Sequence, residues 1–426
     1  MNDNLRSWLV QQNHNFIEAF FTADLKDWVL CVGNEAGDLD TLSSSIAFAY
    51  LSSFDTSSST RYIPIQLTPS SAFQLRAENV AALKDAMQID RESGDLQNDL
   101  ICSDTLDFSK FTPYGAKYAL VDHNQVISSV FGTQAEVVAV IDHHEPAENN
   151  TLYLNANPRI IQVPTGSCAS LVVNHFSKTW QSKLFPIGLA DLLLSAIVID
   201  TSNLKLIQDG GKATESDLSA RDFLIPRSRF AISANSSDSQ NGLQSLYKTL
   251  STLKDDVTRL NSTQLLQRDY KQYQTNGWTF GLSSVPISLS DWVRDKESNK
   301  WKALLTATNE YGASKSLDAV GILANNEKLK KKEAAATGQT KRELLILIRN
   351  EAMLGLYKGL ENPDLSVQQQ LDLSTSIIDQ QNDIDAFIYS NTVQVRIWKV
   401  GNPEASRKQV APILTTLVNN LGPKPS

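Results

Sequence analysis

Asp142-His143-His144 closes the apolar run Val137-Val-Ala-Val-Ile141, and two imidazoles beside a carboxylate are costly to bury unless something partners them. Three further acidic clusters follow apolar runs. Val29 to Gly33 leads into Asn34-Glu35-Ala36-Gly37-Asp38-Leu39-Asp40, Tyr118 to Val121 into Asp122-His123-Asn124, and Ala196 to Ile199 into Asp200-Thr201. Carboxylate oxygens combined with imidazole nitrogen suit divalent metals. Adjacent histidines on an extended chain point to opposite sides, so one can ligate while the other faces a substrate. Each cluster alone also has an ordinary structural reading. Asp40 could cap a helix beside a solvated turn, Asp122 could make an Asx-type turn, and Asp200 could pair with Lys205 or Arg221. Four such clusters in chain order, each after an apolar run, favour a shared metal site.

The elements that must deliver these groups can be read in outline. Up to Ile225, short β-like runs alternate with amphipathic stretches, the pattern of βαβ units and a parallel sheet. In such a sheet the carboxyl ends of the strands converge on one crevice, so four strand ends carrying these clusters would meet there. Asp40 to Leu51 is predicted to be a helix, and Arg61 to Gln66 a strand after a Ser-rich loop. A helix capped by Ser167 is predicted to run to about Trp180, and Ile187 to Ile197 reads as another. Composition shifts to Arg, Ser, Asn, Asp and Gln between Ile225 and Gly242, which places domains at 1–228 and 244–426 with a linker at 229–243. The second domain reads as α/β, with strands at 277–283, 318–323 and 392–398 and a helix from Lys341 to Leu356. Residues 325–340 read as a polar insertion, and no internal repeat is evident.

The bulk composition narrows the function classes. A 426-residue chain with 41% apolar and 20% charged residues is an ordinary globular protein of about two domains. No apolar run reaches the roughly 18 residues of a membrane span. The N-terminal segment has no signal-like pattern, and Cys31, Cys102 and Cys168 do not form a disulfide framework, so a cytoplasmic location is expected. A net charge of −8 argues against a duplex nucleic-acid partner. Bound cations would offset carboxylates, so a polyanionic substrate remains compatible. Lys328 to Lys332 with Lys341-Arg342, and Arg407-Lys408, are late basic clusters. The first could line the exit for a long polyanion or simply solubilise a loop.

The four motifs together resemble those of the DHH phosphoesterase superfamily. Ala405-Ser406-Arg407-Lys408-Gln409-Val410-Ala411-Pro412 resembles the Ser-Arg-Lys-Gln signature of the DHHA2 domain, which closes family II inorganic pyrophosphatases, fungal cytosolic exopolyphosphatases and the prune proteins. Leu265 to Lys271 resembles the opening of that domain in the exopolyphosphatase and prune branch. The resemblance implies a mostly parallel, helix-flanked DHH domain, a smaller DHHA2 domain and an active site in the cleft between them. It implies one metal held by Asp38 and Asp122, with Asn34 near it or replaced by water, and a second held by Asp40, Asp122, His143 and Asp200. Asp122 would then bridge the two ions. His144, Ser406, Arg407, Lys408 and Gln409 would face or grip phosphate, and Asp122, His144, Arg407 and Lys408 would carry catalysis. Asn34 stands where the pyrophosphatases have His, which favours an all-oxygen first site and Mg²⁺ over Mn²⁺ or Co²⁺. The implied activity is two-metal exopolyphosphatase hydrolysis by a monomer. A prune-like hydrolase of short polyphosphates, nucleoside tetraphosphates or cyclic nucleotides, or a pyrophosphatase, is the alternative.

Overall fold

The computed structural model describes residues 5–54, 59–89, 96–126, 128–146, 153–232, 236–326, 341–362, 366–375, 381–402 and 405–425. It divides into two compact units, Met1–Lys254 and Asp255–Ser426. The division falls later than the sequence suggested. The Ser236–Asp255 helix sends Leu243, Leu246 and Leu250 into the core of the first unit.

The first unit is built on six strands: β1 (Trp28–Val32), β2 (Arg61–Gln66), β3 (Ile101–Cys102), β4 (Lys117–Val121), β5 (Glu136–Asp142) and β6 (Arg159–Ile161). Their order is β3-β2-β1-β4-β5-β6, and every pairing is parallel. Chain order reverses direction beside β1, so the switch point lies between β1 and β4, where such sheets open a crevice. Alternating side chains feed two cores, one on each face. Val29, Cys31, Ala119, Val121 and Ile141 pack on one side with the Leu39–Ser52, Cys168–Ser177 and Ile187–Asp200 helices. Trp28, Leu30, Val32, Tyr118, Leu120 and Val140 pack on the other with Phe16, Phe20 and Phe111. Burial on both faces explains why these strands read as continuous apolar runs.

The second unit holds β7 (Tyr270–Thr275), β8 (Trp278–Val285), β9 (Ala319–Asn325), β10 (Arg342–Ile348), β11 (Leu373–Thr375) and β12 (Gln394–Val400). Their order is β11-β12-β10-β9-β8-β7, and the one parallel pair among them is β8 with β9. The helix expected from Lys341 to Leu356 is instead strand β10, followed by a short 3₁₀ turn and the Gly355–Glu361 helix. Leu and Glu favour a helix locally, but β10 lies between β9 and β12 with Leu344 to Ile348 all buried. Pairing on both edges overrides propensity there. Lys328 to Lys332 lie outside the described residues.

Candidate metal centre

Three of the four motifs leave the sheet where the sequence placed them, and the fourth does not. Asn34 and Asp38 follow β1, Asp122 follows β4, and Asp142 ends β5 with His143 directly after it. Asp200 ends the Ile187–Asp200 helix, not a strand. The apolar run before it is buried on nearly every side, which makes a core helix look like a parallel strand in sequence.

Asp122 sits at the centre of the group. Its backbone turns into the left-handed region (φ 59°) at the strand exit, and its amide donates to the Ile141 carbonyl at 3.1 Å. Its Oδ2 accepts from Asn34 Nδ2 at 2.6 Å and from Thr41 Oγ1 at 2.5 Å. Its Oδ1 lies 3.2 Å from His143 Nε2. The His143 ring is oriented from its far side, where Nδ1 donates to the Thr165 carbonyl at 3.1 Å. That bond fixes the tautomer and leaves the Nε2 lone pair facing Asp122 and, at 3.8 Å, Asp40 Oδ2. One ligand atom from each of Asp122, His143 and His144 lies within 4.8 Å of the others, the geometry of a shared cation.

The helix predicted from Asp40 runs from Leu39 to Ser52, with Asp38 as its cap: Asp38 Oδ1 accepts from Thr41 N at 2.9 Å. Asp40 holds a different helix. Its Oδ1 accepts from Ser167 Oγ and Ala169 N, both at 2.8 Å, and its Oδ2 from Cys168 N at 2.7 Å. Ser167, predicted as a side-chain cap, stands at the N-cap of the Cys168–Ser177 helix but gives its hydroxyl to Asp40. Asn34 turns its amide nitrogen to Asp122 and its oxygen to Ala36 N at 3.0 Å. It therefore steadies the Asp122 carboxylate, while its oxygen keeps a second lone pair beyond the Ala36 bond.

Asp142 is fully buried and acts as an anchor for its neighbours. Its Oδ1 accepts from His144 Nδ1 at 2.7 Å and His143 N at 2.8 Å, and its Oδ2 from Asn124 Nδ2 at 2.6 Å. Burial alone would raise its carboxyl, but the hydrogen bond and charge of His144 outweigh that and hold it below the usual range. The bond engages Nδ1 of His144 and fixes the orientation of its ring.

Electrostatics of the group fit a cation. Burial first, then repulsion from Asp122 and Asp200, push the Asp40 carboxyl well above its ordinary value. Burial and Asp38 push Asp200 up, while Lys254 and His143 offset part of that. Carboxylates that raise one another this way gain most from a divalent ion between them. Asp38, Asp40, Asp122, His143 and Asp200, the expected ligands, thus act on one another electrostatically, while the ligand atoms that meet within 4.8 Å are those of Asp122, His143 and His144. Neither Lys205 nor Arg221 forms an ion pair with Asp200 among the described residues; Arg221 pairs with Asp222. Lys254, at the end of the Ser236–Asp255 helix, is the cation acting on Asp200, and nothing in the spacing pointed to it. Thr41 and Asn124 were also missed, although Thr41 follows Asp38 at the three-residue spacing of a helix cap.

In the second unit, the Arg407–Asn419 helix begins at the Ser-Arg-Lys-Gln segment. Gln409 Oε1 accepts from Ser406 N at 2.9 Å, half of a capping box. Arg407 is mostly buried, and its guanidinium donates to the Asp269 carbonyl at 2.7 Å and pairs with the Asp269 carboxylate at 2.8 Å. That anchor lies in the Leu265–Lys271 segment, so the two signatures of the unit pack on each other.

Comparisons with known proteins bear out the two-part reading. Residues 28–197 match the model of the DHH family, N-terminal domain, and residues 248–417 match that of the DHHA2 domain. The chain is a member of the DHH family that carries a DHHA2 domain. Among relatives, a candidate exopolyphosphatase of Schizosaccharomyces pombe is 27% identical over 92% of this chain and 91% of its own length. Exopolyphosphatase PRUNE1 of Rattus norvegicus is 24% identical over 90% of this chain and 74% of its own. The fold matches the crystal structure of a candidate family II inorganic pyrophosphatase of Methanococcus jannaschii, with a TM-score of 0.54 and 18% identity, covering 92% of this chain and 99% of that one.

Proposed function

We propose that the chain is a metal-dependent exopolyphosphatase that cleaves the terminal phosphoanhydride bond of inorganic polyphosphate and releases orthophosphate. The observation that carries this reading is the convergence of Asp122, His143 and His144 within 4.8 Å, beside Asp40 with its raised carboxyl. The Schizosaccharomyces pombe relative supports the substrate, since similarity covers nine-tenths of both chains. Two divalent ions are proposed, held by Asp38, Asp40, Asp122, His143 and Asp200, with Asp122 shared between them. Asn34 offers no imidazole, which favours Mg²⁺, with Mn²⁺ or Co²⁺ able to substitute. When bound, such ions polarise the phosphoryl oxygens and acidify a water enough for attack near neutral pH.

The protein groups do the rest. Asp122, pinned by Asn34 and Thr41, keeps its carboxylate fixed while charge shifts at phosphorus. His144, its ring held by Asp142, would face the substrate and can pass a proton to a phosphate oxygen. Arg407 and Lys408, with Ser406 and Gln409 at the same helix start, would bind phosphate. Lys328 to Lys332 would favour long chains by charge alone.

The deciding experiment is phosphate release from long polyphosphate, triphosphate, pyrophosphate and cyclic AMP, with Mg²⁺ and Mn²⁺ compared. Preference for long polyphosphate is expected. Faster cleavage of triphosphate or cyclic AMP would instead support the prune-like alternative.

A further inference from the structure

Asp217 belongs to none of the motifs described above, yet its carboxylate is fully buried and saturated with donors. Two come from Thr214, whose amide and hydroxyl reach Oδ2 at 2.7 and 2.9 Å and cap the Glu215–Leu224 helix. Three come from the segment that carries the metal centre's supports: Gly166 N at 3.0 Å, Ser167 N at 3.1 Å and Ser170 Oγ at 2.7 Å. That segment makes two separate contacts with the candidate ligands. Thr165 gives its carbonyl to His143 Nδ1, while Ser167 Oγ, Cys168 N and Ala169 N hold Asp40.

Gly166 shows how tightly the segment is held. A Cβ there would lie 2.5 Å from Thr201 Cγ2 and 2.9 Å from Asp217 Oδ2, so backbone approach closer than any side chain permits ties the loop to Asp217 and to the residue after Asp200.

We propose that Asp217 is a positioning residue for the metal centre. It orients His143 and Asp40 at once by fixing the 165–170 segment, and it touches neither metal nor substrate. The proposal rests on the metal-centre reading above. A helix cap alone would need only the Thr214 bonds, whereas three of the five donors come from the loop. Asparagine keeps the shape of the side chain but has one acceptor oxygen. The two loop amides reach opposite oxygens, so one of them would then face an NH₂ group.

The test is Mn²⁺ titration of the full-length, chelator-stripped protein by calorimetry, alongside thermal melting of the metal-free form. Asp217→Asn should bind Mn²⁺ at least about tenfold more weakly than the parent, the usual scale for losing a group that orients a ligand. Thr214→Val, which disturbs the cap but not the loop, should lower the melting temperature and leave Mn²⁺ affinity unchanged. Affinity of Asp217→Asn within about twofold of the parent, or an equal loss in Thr214→Val, would overturn the proposal. Should Asp217→Asn fail to fold, Ser170→Ala carries the test. Its hydroxyl donates to Asp217, so affinity should fall at least about twofold, and an unchanged value is the refuting result. His143→Ala separates the two readings: it should lose Mn²⁺ binding whatever Asp217 does, and retention would sink the metal centre itself.

Discussion

Thr41 offers the sharpest division between what holds the fold and what holds the site. Its hydroxyl donates to Asp122 Oδ2 at 2.5 Å, and its methyl lies over Gly33, where a Cβ would come within 2.2 Å of it. Thr41→Val keeps the methyl contact and removes the hydroxyl. Asp122 Oδ2 then retains the Asn34 bond and loses one charge-assisted partner, at a cost of about 1.5–3 kcal/mol. In a unit of this size each kcal/mol moves the midpoint by about 2–4 °C, so the metal-free melt should fall by roughly 3–12 °C. Mn²⁺ affinity should fall by about tenfold or more, because Asp122 loses orientation. Thr41→Ser makes the opposite change. It keeps the hydroxyl and deletes the methyl, costing about 1 kcal/mol of packing with little effect on Mn²⁺. Calorimetric melting and Mn²⁺ titration of both variants give the crossover directly. If Thr41→Val binds Mn²⁺ as the parent does, or Thr41→Ser loses as much affinity as Thr41→Val, the assignment of Asp122 to the metal is wrong.

Arg407→Lys replaces a two-pronged donor with a point charge and breaks the double contact to Asp269; KM for polyphosphate should rise about tenfold while Mn²⁺ affinity holds, as read by steady-state kinetics and titration. Gly166→Ala should lower both stability and Mn²⁺ affinity, since its methyl meets Thr201 and Asp217; an unchanged Mn²⁺ isotherm would contradict the close approach. Burial and the neighbouring Asp104 push the Cys102 thiol up to about 12, so as pH rises from the unfolded thiol's range of about 8.5 toward that value the unfolded chain loses its proton first. Stability present below that window is therefore lost across it, and Cys102→Ala should flatten the decline by up to about 1.4 kcal/mol per pH unit in urea titrations. Charge reversal at Lys330, Lys331 and Lys332 should raise KM for long polyphosphate and leave triphosphate unaffected; an unchanged chain-length profile would discard the exit role.

The strands of the first unit were legible because parallel strands buried on both faces carry unbroken apolar runs, as at Tyr118 to Val121. The same logic misassigned Ala196 to Ile199, where a helix buried all round leaves no polar stripe to betray its period. Lys341 to Leu356 failed for the reverse reason, since good helix formers there are held by strands on both edges. Site residues at strand exits stood out as polar groups ending apolar runs. Those that orient them did not, because Thr41 and Asn124 are ordinary polar residues whose partners lie 81 and 18 positions away. Asp217 left one trace, the Thr-x-x-Asp spacing of a capping box, which discloses the helix start and nothing of the loop it also holds. No pattern could link Lys254 to Asp200, since the pairing depends on where a long helix ends.

The Ser236–Asp255 helix has a consequence for biosynthesis. Its three leucines join the apolar interior of the first unit, so that interior stays incomplete until translation has passed Leu250. A nascent chain halted at residue 228 would carry every acidic and imidazole group of the centre on a body lacking its final layer. Such an intermediate should bind chaperones and resist cation loading until synthesis passes that helix.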